Sequence, residues 1–284
     1  MLKLRVITAV ILLAILVPVL FVPVSWPFVL LTLWMVSCAA WEWGRLNHLS
    51  SGVSIAVMGV PVAVLSGLTL WLTQNGTTSM LPASAAGGAV MVAWVGFSLL
   101  ILRGGIEGWS KWPRVLRLLL GIVIMCLAWW SMYDAWLMGI NYLLSIFCLV
   151  WTADIAAYFG GKRFGKRKLA PNVSPNKSWE GVWSGLSGVA LLGVAWLFAD
   201  MHFQSLHPSV FTVMYQHVGI IGLILGCFFL AAMSVTGDLV ESLIKRSVGA
   251  KDSSQLLPGH GGVLDRIDAL LPVFPLAWAL THCF

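Results

Sequence analysis

The amino-acid sequence predicts an all-α, polytopic membrane protein with about nine transmembrane helices, and three observations carry that reading. First, 59% of the 284 residues are hydrophobic and only 10% are charged, whereas soluble domains carry roughly 25% charged residues. A mean hydropathy of +0.91 leaves more apolar surface than a soluble fold of this length can hide. Second, the apolar residues come in runs close to the ~20 residues that carry an α-helix across a bilayer. Third, the cations fall on alternate loops, as described below. Sixteen Trp residues agree, because Trp favours the membrane–water interface.

Nine apolar runs lie near residues 6–24, 28–44, 54–73, 88–102, 116–133, 138–159, 181–199, 217–236 and 263–282. The first follows Lys3 and Arg5, as in a signal peptide, but it meets Pro18 and Pro23 without a small-x-small cleavage site. It therefore reads as an uncleaved helix. The fourth is short, and Gly104–Gly105 either ends it or leads into a surface helix. Five cysteines without CxxC pairing sit mostly inside these runs and read as small apolar packing residues.

With the N-terminus inside, all 17 Lys and Arg residues fall on one face. Lys3 and Arg5 lie in the tail, and Arg45 follows the second run. Arg103, Lys111, Arg114 and Arg117 follow the fourth; Lys162, Arg163, Lys166, Arg167, Lys168 and Lys177 follow the sixth; Lys245, Arg246, Lys251 and Arg266 follow the eighth. This asymmetry predicts a cytoplasmic N-terminus and a periplasmic C-terminus in a bacterial inner membrane. Residues 1–135 then read as a scaffold of transmembrane helices and the place for any oligomer contacts. Residues 136–284 read as the region carrying the catalytic site. Topology and anionic lipid account for the basic residues 103–117; the later loops add acids and glycines.

Three polar constellations stand out. At the end of the sixth run, Asp154 lies among apolar residues, where a carboxylate is costly and functional by default. Gly160, Gly161 and Gly165 follow with Lys162, Arg163 and Lys166, which reads as a flexible turn whose backbone N–H groups approach phosphate. The GxxxxGK[ST] spacing of a P-loop is absent. The second constellation, Ser174-Pro-Asn-Lys-Ser-Trp-Glu-Gly181, opens the seventh run. Here Ser174 or Asn176 is expected to cap a helix, Lys177 to meet phosphate, and Glu180 to complement the helix dipole.

The third, from Ser234 to Asp268, is the densest. Asp238, Glu241, Ser242 and Lys245 share one helical face, and Asp265 and Asp268 stand at i, i+3 with both carboxylates expected on one side. Carboxylates so placed repel unless a cation lies between them. A hard, oxygen-liganded ion such as Mg²⁺, which also meets substrate phosphates, fits that pattern, and a second cation would complete a two-metal site. His260 sits between Gly259 and Gly261-Gly262 and reads as a hydrogen-bonding or loop-ordering residue ahead of a general base. No second His or Cys has ligand spacing beside it.

Ser242-x-Ile244-Lys245-Arg246, Lys251-Asp252 and Pro258-x-His260-Gly261-Gly262-x-x-Asp265-Arg266-x-Asp268 resemble the signature of the bacterial phosphatidate cytidylyltransferases over its full length. The Asp154-x-x-x-Tyr-Phe-Gly-Gly stretch, the Ser-Pro-x-Lys-Ser-x-Glu-Gly stretch (with Ser178 where Thr is commoner) and the Trp-Glu-Trp around Glu42 are similar as well. The resemblance implies transfer of a cytidylyl group from CTP to phosphatidic acid, giving CDP-diacylglycerol and pyrophosphate for phospholipid synthesis. It implies Asp238, Asp265 and Asp268 as metal ligands, with Asp154 and Asp252 as further candidates. Lys245, Arg246 and Lys251 would join those three aspartates as catalytic residues. Asp154, Lys162, Ser174, Lys177, Ser178, Glu180, Ser242, Asp252, His260, Gly261, Gly262 and Arg266 would meet the substrates. CTP, phosphatidic acid and membrane lipids are the implied partners, with a homodimer and no nucleic acid. The rivals are another membrane phosphotransferase, whose D-x-x-D-G-x-x-A-R run is absent, and a transporter of anionic substrates, for which internal symmetry is missing.

Overall fold

Hydrocarbon offers no partner to backbone N–H and C=O groups, so an apolar chain satisfies them within helices. The computed structural model describes residues 2–75 and 83–282 and is almost wholly helical. The side chains of Lys3 and Arg5, and Cys283, lie outside the described residues. The first helices are α1 (Leu2–Phe21), α2 (Trp26–Leu46), α3 (Ser51–Ser54), a π-helical turn (Ile55–Gly59) and α4 (Val60–Gln74). There follow α5 (Ala83–Lys111), α6 (Arg114–Leu137), α7 (Ile140–Phe164), β1 (Lys168–Ala170) and β2 (Ser174–Ser178). The chain closes with α8 (Trp179–Phe203), α9 (Val210–Ser247), α10 (Leu264–Ile267) and α11 (Leu270–His282). The strands form an antiparallel ribbon with Lys168 opposite Ser178 and Ala170 opposite Ser174.

Among the described residues, six helices are long and apolar enough to cross a membrane: Ser51–Gln74, Ala85–Lys111, Arg114–Leu137, Ile140–Phe164, Trp179–Phe203 and Val210–Ser247. The last of the nine apolar runs does not form one long helix. It divides into α10 and α11, and the 13 residues of α11 rise only ~20 Å. Leu270 to Ala279 are all buried, so this segment is apolar because it forms core. Two long helices are interrupted by glycine. Gly105 in α5 (φ 63°) and Gly219 in α9 (φ 67°) adopt backbone angles that L-residues avoid. The break at Gly105 meets the expectation that the fourth run ends there, and α9 starts seven residues before the eighth run because its break at Gly219 lies within the helix.

The chain forms two compact units, each built from segments that alternate along the sequence. One comprises residues 1–78, 106–133 and 244–267; the other comprises 79–105, 134–243 and 268–284. In the first unit, α2 buries Phe28, Val36, Ala39 and Trp43. The Trp43 indole N–H donates to the Arg117 carbonyl at 2.9 Å, and Trp43 meets Trp109 edge-on at 5.9 Å. The Arg117 guanidinium lies over the Trp109 ring at 5.7 Å. Arg117, expected among the surface cations, is therefore buried.

In the second unit, α7 and α8 pack closely through glycines. A Cβ at Gly181 would lie 2.8 Å from the Ala157 carbonyl, and one at Gly185 would lie 3.0 Å from that of Ala153. Phe147 of α7 meets Phe274 of α11 edge-on at 5.2 Å. Asp200, in the last turn of α8, accepts from Asn141 Nδ2 (2.9 Å), the Ser209 N–H (2.9 Å) and Thr212 Oγ1 (2.6 Å). That carboxylate joins the start of α7 to the start of α9 within the unit.

Candidate active site

In the second unit, Asp154 near the end of α7, Ser174, Lys177 and Ser178 on β2, and Asp238 on α9 line one cavity of about 480 Å³. Lys162 reaches the same cavity. Lys177 Nζ lies 2.6 Å from Asp238 Oδ2, with the two side chains 23% and 34% exposed. Ser242, one helical turn on, donates its hydroxyl to Asp238 Oδ1 at 3.1 Å. Asp154 is within electrostatic reach of both Asp238 and Lys177. Gly237, the residue before Asp238, packs so tightly that a Cβ there would lie 2.5 Å from the Asp268 carbonyl. Asp268 thus lies beside the turn of α9 that carries Asp238, and its own Oδ1 accepts from the Ala269 N–H at 2.8 Å. Residues from all three polar constellations meet here.

Two expectations about the neighbouring loop are corrected. The α8 cap is Ser178, whose Oγ accepts from the Gly181 N–H at 3.2 Å, because β2 continues through Ser174 and Asn176. Gly160 and Gly161 are not a phosphate-binding turn: α7 continues to Phe164, and a Cβ on Gly160 would collide with Ser184. Their smallness lets α7 and α8 approach. Glu180 lies in the first turn of α8, where the dipole reading expects it, and also turns back onto the loop. Its Oε2 accepts from the Lys166 and Arg167 N–H groups at 3.0 and 3.2 Å, and its Oε1 pairs with Arg167 at 3.3 Å.

The first unit holds the rest of the third constellation. Lys245 Nζ donates to Asp265 Oδ1 at 2.5 Å, with side chains 11% and 6% exposed. Asp265 Oδ2 accepts from the Ser253 N–H, the Ser253 hydroxyl and the Gly262 N–H, each at 2.8 Å. Burial alone would push the Asp265 carboxyl up. The Lys245 ammonium and the two backbone donors outweigh it, so the group lies below the usual aspartate value. Helix α10 ends at Ile267, so Asp265 and Asp268 do not share the helical face that their spacing suggested. Within neither unit do three or more described His, Cys, Asp or Glu side chains gather closely enough to hold a metal ion.

Glu42 organises the same loop and was not singled out as a site residue from the sequence. It is fully buried. Oε1 accepts from the Ser254 hydroxyl (2.5 Å) and the Val263 N–H (3.0 Å), and Oε2 from the Ser253 hydroxyl (3.1 Å) and the Leu264 N–H (2.6 Å). A Cβ at Gly262 would strike Ser253 and Glu42, so glycine there permits the close approach of strap and carboxylate. Gly261 holds φ +87°, a conformation open mainly to glycine. A signal for Glu42 was present, since an acid inside an apolar run demands partners; those partners lie more than 200 residues away.

The other predicted residues of this segment divide into loop-holding and open groups. Arg246 donates to the Ala250 carbonyl at 3.0 Å and Arg266 to that of His260 at 2.6 Å. The His260 backbone N–H donates to the Leu257 carbonyl at 2.9 Å, and its side-chain Nδ1 is buried without a hydrogen-bond partner among the described residues. Lys251 and Asp252 are exposed and line a second cavity.

A model of the cytidylyltransferase family matches residues 3–284. The phosphatidate cytidylyltransferase of Pseudomonas aeruginosa is 39% identical over 286 residues, covering 98% of each chain. That of Haemophilus influenzae is 37% identical over 299 residues, covering 97% of this chain and 96% of its own. The Bacillus subtilis enzyme of the same name is 40% identical over 146 residues, about half of either chain.

Proposed function

This chain belongs to the cytidylyltransferase family, and from that premise we propose that it transfers a cytidylyl group from CTP to the phosphate of phosphatidic acid. The observation that carries the reading is the cavity where Lys177 pairs with Asp238 beside Asp154. There a cation and two carboxylates stand together at the ends of apolar helices. An oxygen of the phosphatidate phosphate attacks the α-phosphorus of CTP. The new P–O bond forms as the bond to pyrophosphate breaks, and pyrophosphate leaves with its electron pair. The attacking phosphate is already ionised near neutral pH, so positioning and charge neutralisation are what the site must supply.

Two carboxylates together with substrate phosphate oxygens can supply the shell of a hard divalent cation, without the three-residue cluster that is absent among the described residues. Asp238 is one-third exposed and shares its cavity with a second carboxylate, and oxygen ligands of this kind suit Mg²⁺. Asp238 and Asp268 would hold it, with Asp154 nearby. Asp265, the third expected ligand, has both oxygens occupied within its own unit by Lys245, Ser253 and Gly262. A bound Mg²⁺ would neutralise phosphate charge and orient the leaving pyrophosphate; a second cation is part of the same proposal. The chain's own contribution is cationic. Lys177 and Lys162 face the first cavity and would draw in the polyanions, and Ser174 and Ser178 offer hydroxyls. In the first unit, Lys251 is exposed and can meet phosphate, whereas Lys245 acts through Asp265.

The placement of every Lys and Arg on alternate loops supports nine passes, a cytoplasmic N-terminus and site, and a periplasmic C-terminus in the inner membrane. In that arrangement α11 is a short, core-packed last pass. The family resemblance supports a homodimer. Purified protein given CTP, Mg²⁺ and phosphatidate should release pyrophosphate and form a cytidylyl lipid in equal amounts. Absence of the lipid product across several detergents and bilayers would reject the reading.

A further inference from the structure

The second cavity, about 660 Å³ and wholly within the first unit, is lined by Arg45, His48, Lys251, Asp252, Ser253 and Gln255, among others. Three basic side chains face one carboxylate. None of Arg45, His48 and Lys251 forms an ion pair among the described residues. The Arg45 guanidinium rests on the Trp41 ring at 5.0 Å, which positions it without neutralising it. Ser253 and Ser254 turn their hydroxyls away from this space onto Glu42 and Asp265, so the cations dominate its chemistry.

The turn that presents Arg45 and His48 has an unusual backbone conformation. Helix α2 ends with Leu49 N–H donating to the Gly44 carbonyl and His48 N–H to the Arg45 carbonyl, each at 3.0 Å. This doubly bonded C-terminal turn usually places glycine at its left-handed position. Here His48 occupies it with φ +62°, a conformation uncommon for residues other than glycine. A conformation of this kind persists where the side chain is required, and the His48 side chain lines the cavity. The Arg114 guanidinium donates to the His48 carbonyl and holds the turn from outside.

We propose that this cavity is a second phosphate-binding site, in which Arg45, His48 and Lys251 hold a phosphate monoester or polyphosphate. Its size suits a nucleotide-scale ligand, since such sites run from about 300 to 1,000 Å³. The proposal extends the phosphate-binding role given above to Lys251 and adds two residues of α2 that no family motif singles out. The phosphate comes either from a lipid headgroup at the membrane surface or from a water-soluble polyphosphate.

The test is hydrogen exchange on the full chain in phosphatidylcholine nanodiscs, with inorganic pyrophosphate as probe and the amides of residues 248–256 as readout. Pyrophosphate should slow exchange there in the wild type. Arg45→Gln should raise the pyrophosphate concentration required by about tenfold, the loss expected for a charged hydrogen bond. Arg45→Lys should recover part of it, and Arg103→Gln, a cation outside the cavity, should change nothing. His48→Gly suits the unusual φ, so a purely structural His48 predicts a firmer turn and unchanged protection, whereas a ligand predicts weaker protection. Nanodiscs containing phosphatidate identify the source: slowing by the lipid alone assigns a headgroup, and slowing by pyrophosphate alone assigns a soluble polyphosphate. Protection that survives Arg45→Gln undiminished, or no protection by either probe, overturns the proposal. The readout does not depend on turnover, so protected amides in a preparation without transferase activity would reject the reaction proposed above and keep this site.

Discussion

Removing the Glu42 carboxylate should release the loop that carries Ser253 through Asp265, and the geometry sets the size of the effect. Each carboxylate oxygen accepts one serine hydroxyl and one backbone N–H. In Glu42→Gln one oxygen becomes an NH₂ group. The hydroxyl facing it can rotate and accept, but the backbone N–H cannot. One buried donor is therefore left against a donor whichever way the amide is turned, at a cost of about 1–3 kcal/mol. Glu42→Ala removes the acceptors for both the Val263 and Leu264 N–H groups and leaves a void, so its cost should be at least twice that. Against a total stability of roughly 5–15 kcal/mol, the first variant folds and the second is marginal. Exchange of the Val263 and Leu264 amides measures this directly. Exchange should rise in Glu42→Gln by roughly tenfold to a hundredfold, following the same energy range, while the amides of α8 stay protected. Wild-type protection at both amides in Glu42→Gln would refute the idea that this carboxylate straps the loop.

Three further variants probe the other unit. Asp238→Asn should leave a folded protein whose turnover falls by about 100-fold or more, because Lys177 loses its partner and the cavity a charge aimed at the reacting phosphates; near-normal kcat would remove Asp238 from the site. Asp268→Asn should likewise fold but lose its response to added Mg²⁺ in a titration of rate against metal, and an unchanged titration would strike Asp268 from the metal set. Gly181→Ala places a Cβ 2.8 Å from the Ala157 carbonyl and should cost about 1–3 kcal/mol by overpacking α7 against α8, read as a lowered Tm; an unaltered Tm would show that the two helices tolerate wider spacing.

Asp154, Lys177 and Asp238 were each legible because a charge in an apolar chain must be partnered or functional. Their meeting was not legible: Lys177 and Asp238 come from different constellations, and only the fold of α7, β2 and α9 brings them into one cavity. The glycines show where a local reading fails. Gly160-Gly161 followed by cations suggests an anion loop, yet both residues lie in α7. The four-residue spacing from Gly181 to Gly185 is the small-residue pattern by which helices approach in membranes, a signal in the sequence that the reading by polar constellations passed over. The burial of the ninth apolar run was not legible for a related reason, since hydropathy cannot separate a segment facing lipid from one buried in protein.

The polar groups of this chain then fall into two kinds that an experiment can separate. Glu42, Asp265 and Asp200 are buried carboxylates that accept backbone N–H groups of their own unit, whereas Asp154, Lys162 and Asp238 line a cavity and Asp238 is held by the side chains of Lys177 and Ser242, which can turn aside for a ligand. A closed carboxylate can act on the reaction only through the position of what it holds, while an open one can meet substrate. Asp200→Asn makes the contrast with Asp238→Asn concrete. Asp200 Oδ2 accepts from a backbone N–H and a hydroxyl, and Oδ1 from Asn141 Nδ2 and the Ser205 hydroxyl. An amide therefore again sets a donor against a donor that cannot turn away, at a cost of about 1–3 kcal/mol. That variant should lower Tm while kcat of the folded fraction stays within a few-fold of wild type. Asp238→Asn should do the reverse. If Asp200→Asn lost turnover without losing stability, the distinction between closed and open carboxylates would fail, and the join between α7, α8 and α9 would have to be counted as part of the chemistry.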